Sequence, residues 1–183
     1  MEHGASGARR GRGPLGIGLV GLAVLLATIA VAVLQRPAAV SVFDEDAPSV
    51  ARLDPELLDA LRRAAAGAEA DGVELQVNSG WRSAEDQQQL LQDAIVEYGS
   101  EEEAARWVAT PETSAHVSGD AVDIGPADAA AWLAEHGAAY GLCQIYGNEP
   151  WHYELRPVAV ADGCPPMYAD PTEDPRMRSI HRR

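Results

Sequence analysis

Behind Asp54-Pro55, apolar residues recur at Leu57, Leu58, Leu61 and Ala65. That spacing predicts a helix from Asp54 to about Ala70, with the aspartate as N-cap and proline at the first helical position. From Val73 the period shortens to two. Val73, Leu75 and Val77 alternate with Glu74, Gln76 and Asn78, which predicts a strand. Ser83 with Asp86 offers a cap for a helix running through Leu90, Leu91 and Ile95 to Gly99, and Ser100 with Glu103 repeats the signal for a shorter helix through Trp107. Pro126 to Glu135 reads as a fourth helix ending at Gly137, with Leu142 to Ile145 and Trp151 to Leu155 as short strands. Helices segregated against a small, mainly antiparallel sheet make an α+β domain, expected over residues 51–168.

The flanks carry different patterns. Pro14 to Leu34 is an uncharged, Leu-, Val-, Ala- and Ile-rich run of 21 residues, long enough to cross a hydrocarbon core of about 30 Å. Arg9, Arg10 and Arg12 precede it, and Asp44, Glu45 and Asp46 follow. By the positive-inside rule, residues 1–13 are expected in the cytoplasm, 14–35 as a single-pass transmembrane anchor in the cell membrane, 36–50 as a linker, and the domain as extracytoplasmic. Ala30-Val31-Ala32 leaves a cleaved signal open; on either reading the domain is exported. The end of the chain, residues 169–183 with Arg176, Arg178, Arg182 and Arg183, reads as a flexible tail.

Charge narrows the partners. Fourteen basic residues, all arginine, against 28 acidic ones give −14 over 183 residues, which argues against binding the phosphates of nucleic acid. Export bears on the two cysteines: in an oxidising compartment Cys143 and Cys164 are expected as a disulfide. Neither belongs to a C-x-x-C pair, so thiolate zinc ligation is not indicated.

The segment TSAHVSGDAVDIG holds His116 and Asp123 seven positions apart around a Ser118-Gly119-Asp120 turn signal. Two readings are open: a hairpin with incidental polar residues, or a hairpin-like loop presenting two metal ligands at one mouth. Hydrolytic zinc takes three ligands from His, Asp or Glu and keeps a further position open. On a strand from Trp151 to Leu155, His152 and Glu154 share one face while Trp151, Tyr153 and Leu155 take the other. His152 is therefore the candidate third ligand. Glu149, just ahead of it, is the candidate for proton transfer; Glu154 competes for that role but on the strand geometry better orients the His152 ring. His3, His136 and His181 receive no role.

Three motifs occur in order: S-G-W-R-S at Ser79–Ser83, S-x-H-x-x-G-x-A-x-D from Ser114 to Asp123, and E-P-W-H from Glu149 to His152. Together they resemble the zinc D-alanyl-D-alanine carboxypeptidases of the VanY type, relatives of the vancomycin-resistance D,D-dipeptidases, over roughly Asp54 to Pro157. The resemblance implies one Zn2+ per domain held by His116, Asp123 and His152, with Glu149 as catalytic base. It implies that Arg82 contacts the substrate peptide and stabilises charge at the attacked carbonyl, and that Ser114 contacts substrate. The implied activity is removal of the terminal D-Ala from peptidoglycan stem peptides. A cell-wall endopeptidase using the same zinc site is the alternative enzyme, and a non-catalytic wall-binding module the alternative of another class; loss of a ligand or the base would mark the latter, and all four are present. Trp81 departs from the family's commoner tyrosine.

Overall fold

The computed structural model describes residues 39–178. The expected cytoplasmic segment and anchor over residues 1–35 and the last five residues, 179–183, lie outside the described residues. Among the described residues no helix is long and apolar enough to cross a membrane.

The elements run β1 (Val40–Ser41), α1 (Pro48–Ala51), α2 (Pro55–Ala70), β2 (Gln76–Ser79), α3 (Ala84–Tyr98), α4 (Glu101–Ala104), α5 (Ala115–Ser118), β3 (Ala121–Gly125), α6 (Ala127–His136), β4 (Leu142–Gln144), β5 (His152–Leu155) and α7 (Ala159–Asp162). The sheet has the order β1-β2-β3-β5-β4, and every neighbouring pair is antiparallel. This is the expected α+β arrangement.

Local chemistry accounts for these elements. The Asp54 carboxylate accepts from the backbone N–H groups of Glu56 and Leu57, opening α2 behind Pro55. The buried stripe Leu57, Ala60, Leu61, Ala64 and Ala68 then faces the core. In β3 the alternation of a strand decides function: Val122 and Ile124 enter the core with Val77 and Tyr153, while Asp123 between them points to the opposite face. The helical side is completed by α6. There the Tyr153 hydroxyl donates to the Ala130 carbonyl at 2.6 Å and the Trp132 indole donates to Asp71 at 2.8 Å. One whole face of the sheet is thus anchored, leaving the other free to carry polar groups.

Several boundaries differ from expectation for identifiable reasons. The strand expected from Val73 begins at Gln76, because the Val73 N–H donates back to the Ala68 carbonyl at 2.8 Å and closes the turn after α2. The linker expected over 36–50 is, from Val40 on, part of the domain: β1 pairs with β2, and Val42 and Val50 are buried. The helix expected through Trp107 ends at Ala104. The tail expected from Ala169 is folded as far as residue 177. The Gly147 N–H donates to the Tyr168 carbonyl at 2.8 Å, and Asp174 is fully buried. Cys143 of β4 and Cys164 form the expected disulfide, with Cα atoms 5.6 Å apart, tying the segment that follows α7 to the sheet edge.

No hairpin joins His116 to Asp123. A short helical turn, α5, ends at Gly119 in the left-handed region at φ +86°, and the chain leaves directly into β3. A β-carbon at Gly119 would lie 2.6 Å from the Arg52 carbonyl oxygen, and the Gly119 carbonyl accepts from the Asp54 N–H at 2.9 Å. Both the backbone angle and the crowding exclude a side chain. Gly119→Ala is expected to destabilise the metal-free domain by about 1–3 kcal/mol, seen as a lower urea midpoint at unchanged slope; a midpoint matching the parent would contradict this account.

Candidate metal centre

Strand register builds the first half of the centre. Asp123 of β3 pairs directly with His152 of β5, and Ser79 of β2 pairs with Asp123. Directly paired residues in antiparallel strands project from the same face, so one row across three strands carries Ser79, Asp123 and His152. His116 reaches the row from α5, whose end is fixed by Gly119.

Three donor atoms meet there. His116 Nε2 lies 3.3 Å from Asp123 Oδ1 and 3.3 Å from His152 Nδ1, and His152 Nδ1 lies 3.2 Å from Asp123 Oδ1. Atoms bound at about 2.0–2.1 Å to a tetrahedral zinc are separated by about 3.3 Å, so the triangle has the edge length that ion requires. The far sides of both rings fix which atoms face inward. His116 Nδ1 is 2.9 Å from the Gly80 carbonyl oxygen and His152 Nε2 is 3.4 Å from Glu154 Oε1. Both partners only accept, so these nitrogens carry the protons, as assigned from the bonding pattern. Two imidazole lone pairs and a carboxylate oxygen therefore converge, an arrangement that repels itself unless a cation or added proton sits among them. Without metal, burial works against charging His152, but the hydrogen bonds its ring donates to Asp123 and Glu154 outweigh that and raise the imidazole to about 9. Burial likewise opposes charge on Asp123, yet His116 and His152 bring its carboxyl well below the usual range. The residues fit a divalent metal of the zinc kind.

Gly80 shows why a glycine precedes Trp81. Its own carbonyl is the one that receives His116, and a β-carbon there would lie 2.0 Å from the Ser49 carbonyl oxygen. The Trp81 N–H donates to that same Ser49 oxygen at 2.9 Å, while the Arg52 guanidinium sits over the Trp81 ring at 4.3 Å. Trp81 thus packs away from the metal triangle and does not line the cleft described next.

A cleft of about 320 Å³ opens over the triangle. Glu149 projects into it from the loop before β5, only 7% exposed, with Oε2 3.7 Å from His152 Nδ1. Its other oxygen, Oε1, is buried and has no hydrogen-bond partner. Burial, helped by the charge of Asp123 and opposed by His152 and Arg82, raises the Glu149 carboxyl to about 7 in the metal-free protein. Arg82 stands on the opposite flank, 3.9 Å from Asp123 Oδ2, donating to the Ser79 hydroxyl and, at 3.2 Å, to Gln87 Oε1. Burial lowers its pKa against the neighbouring carboxylates. Ser114, also buried, donates to the same Gln87 oxygen at 3.0 Å.

All the residues singled out from the sequence therefore meet in one cleft: His116, Asp123 and His152 as the triangle, Glu149 and Arg82 beside it, Ser114 behind Arg82. Gln87 was not anticipated. It is 2% exposed, and by bonding Arg82, Ser114 and the Ala109 carbonyl at 2.8 Å it fixes the Arg82 flank of the cleft. Its one sequence signal is lying seven positions before the buried Ala94 on α3. The outer wall is apolar: Leu90, Tyr98, Trp107 and Trp151 line it, with the Tyr98 and Trp107 rings stacked 5.9 Å apart.

Comparisons with known proteins agree with this geometry. A family model described as VanY, D-alanyl-D-alanine carboxypeptidase, matches residues 50–158. The chain is 33% identical over 135 residues to a D-alanyl-D-alanine carboxypeptidase of Enterococcus faecalis; the match covers 60% of this chain and 49% of that protein, so the chain spans about half the length of this relative. Among solved structures, a zinc(II) complex of a mutant vancomycin-resistance D,D-pentapeptidase VanY from a VanB-type cassette superposes with a TM-score of 0.53 at 31% identity, covering 56% of this chain and 72% of that one. VanYB in complex with D-alanine-D-alanine superposes with a TM-score of 0.56 at 30% identity, covering 60% and 75%.

Proposed function

The chain belongs to the VanY family of D-alanyl-D-alanine carboxypeptidases, and from that premise we propose that it is a zinc peptidase removing the terminal D-Ala from peptidoglycan stem peptides. The observation that carries the reading is the unbonded, buried Glu149 Oε1 beside three converging ligand atoms. A carboxylate left free of structural hydrogen bonds next to a metal triangle has its lone pairs available for chemistry.

His116 Nε2, Asp123 Oδ1 and His152 Nδ1 would hold the ion. When bound, zinc supplies Lewis acidity, polarising the scissile carbonyl and making water nucleophilic near neutral pH. Glu149, which is not a ligand in this scheme, takes the proton from the attacking water at its free oxygen and passes it to the departing amine of the terminal D-Ala. Arg82 provides the positive charge. It is the only guanidinium or ammonium among the described residues lining the cleft, and Gln87 and Ser79 hold its fork toward Asp123. A substrate ending in a free carboxylate is attracted there, and charge developing on the attacked carbonyl is stabilised from the same side. Ser114, buried behind Arg82 and lining the cleft, is the further contact for substrate.

The domain acts outside the cytoplasm on this reading, tethered by the apolar segment within residues 14–35. Its support is the substrate, which is a wall polymer, and the Cys143–Cys164 disulfide, which belongs to an oxidising compartment. The decisive experiment is metal analysis of the purified protein, followed by incubation with a pentapeptide ending in D-Ala-D-Ala. One bound zinc and release of a single D-Ala are expected, with activity abolished by a chelator and restored by added zinc. Zinc-loaded protein that cleaves only internal bonds, or none, would refute the assignment.

A further inference from the structure

Of the two histidines in the triangle, His152 is the one whose far nitrogen rests on a buried charge, and that charge is held in place from the segment after α7. Glu154, 1% exposed, receives His152 Nε2 at 3.4 Å on Oε1. The same carboxylate is gripped at both oxygens by Arg176, Nη2 to Oε1 at 3.0 Å and Nη1 to Oε2 at 2.7 Å. Arg156 adds one bond to Oε2 at 2.7 Å. Arg176 is itself fixed by Asp174, which is fully buried and accepts the Arg176 Nε–H at 2.9 Å. Asp174 also accepts the Tyr146 hydroxyl at 3.0 Å, and the Tyr146 ring lies against the His152 ring with centroids 5.2 Å apart. Both things that hold the His152 imidazole, the carboxylate at its Nε2 and the aromatic ring at its side, therefore lead back to the Asp174–Arg176 pair. That pair lies beyond residue 158, where the family match ends.

We infer that Arg176, seated by Asp174, is a positioning residue for the metal centre: its bidentate grip keeps the Glu154 carboxylate aimed at His152 Nε2, and so keeps His152 Nδ1 turned toward the ion. Arginine suits this role because its planar fork meets both carboxylate oxygens at once, which fixes the plane of the carboxylate as well as its position. Lysine would neutralise the charge without setting that plane. Arg156, with a single bond to Glu154 and another to the Leu155 carbonyl at 2.9 Å, cannot set it either. The carboxylate–histidine–metal arrangement is where such outer partners act on affinity, by about 10–100-fold when removed.

The inference rests on the zinc reading, and its test separates the two. Zinc dissociation constants of the full chain are measured by competition with a chromophoric chelator for the parent, Arg176→Gln, Arg176→Lys and Arg156→Gln. Urea unfolding of each metal-free protein reports the fold. The zinc-loaded His152 Nε2–H is followed by nitrogen-15 NMR. Arg176→Gln is expected to weaken zinc binding about 10–100-fold and to shift or broaden the His152 Nε2–H signal, with Arg176→Lys recovering only part of the affinity and Arg156→Gln losing less than either. Should Arg176→Gln fail to fold, Arg176→Lys carries the test: parental zinc affinity and an unmoved Nε2–H signal would overturn the positioning role, as would a folded Arg176→Gln that binds zinc like the parent. A parent chain that takes up no zinc removes the metal centre itself and this inference with it, whereas normal parental binding with unchanged variants removes this inference alone.

Discussion

Glu149→Gln is expected to bind zinc as the parent does and to lose turnover by about 10²–10⁴-fold, the usual worth of a positioned general base. The amide has nearly the same shape as the carboxylate, so the loop before β5 and the cleft wall should be undisturbed. What it lacks is a group able to accept a proton and return it. Burial holds the metal-free Glu149 carboxyl at about 7, with His152 and Arg82 pulling the other way; a divalent cation in the triangle adds to that downward pull. On the proposed mechanism the carboxylate is therefore the form expected with metal bound at neutral pH, as a base requires. The check is a kcat measured at saturating peptide on protein whose zinc content equals that of the parent. Residual kcat within tenfold of the parent would take Glu149 out of the chemistry and return Glu154 to consideration, although the four donors already bonded to Glu154 leave it no free oxygen.

How these groups come together was legible in part. The S-G-W-R-S, S-x-H-x-x-G-x-A-x-D and E-P-W-H segments each hold their residues by local backbone geometry, so sequence spacing carried the information: Gly119 turns α5 into β3, and Gly80 presents its carbonyl to His116. The pairing of Asp123 with His152 was not legible, because strand register depends on how β3 and β5 align and no single segment encodes it. The hairpin expected between His116 and Asp123 failed for a related reason. Ser-Gly-Asp marks a reversal, but the residues before it close one helical turn, with the Gly119 N–H bonded to the His116 carbonyl at 3.3 Å. On α3, apolar Leu90 faces the cleft while polar Gln87 is buried. That inverts the usual pattern because Gln87 satisfies Arg82 nearby and Ala109 and Ser114 more than twenty positions on, and its burial is decided by those distant partners. Arg176 was misread for the same reason, as a charge near a terminus looks solvated until a buried Asp174 and Glu154 are placed beside it.

Asp123→Asn bears on the metal rather than the proton, and its effect should exceed any outer-partner substitution, weakening zinc by more than the about 10–100-fold assigned to those. Asp123 Oδ1 is the one atom that touches both histidines of the triangle, at 3.3 Å from His116 and 3.2 Å from His152. It also carries the only formal negative charge among the three proposed ligands, so the amide removes both a strong donor and the charge that would offset a divalent cation. The fold should survive, because the side chain lies on the polar face of β3 while Val122 and Ile124 continue to fill the core. Zinc titration and activity should therefore fall together while the metal-free unfolding transition stays cooperative, a pattern distinct from Glu149→Gln, where zinc is retained and only turnover is lost. If Asp123→Asn kept parental zinc affinity, the triangle of His116, Asp123 and His152 would not be the metal site, and a hydrolytic role for this cleft would lose its basis.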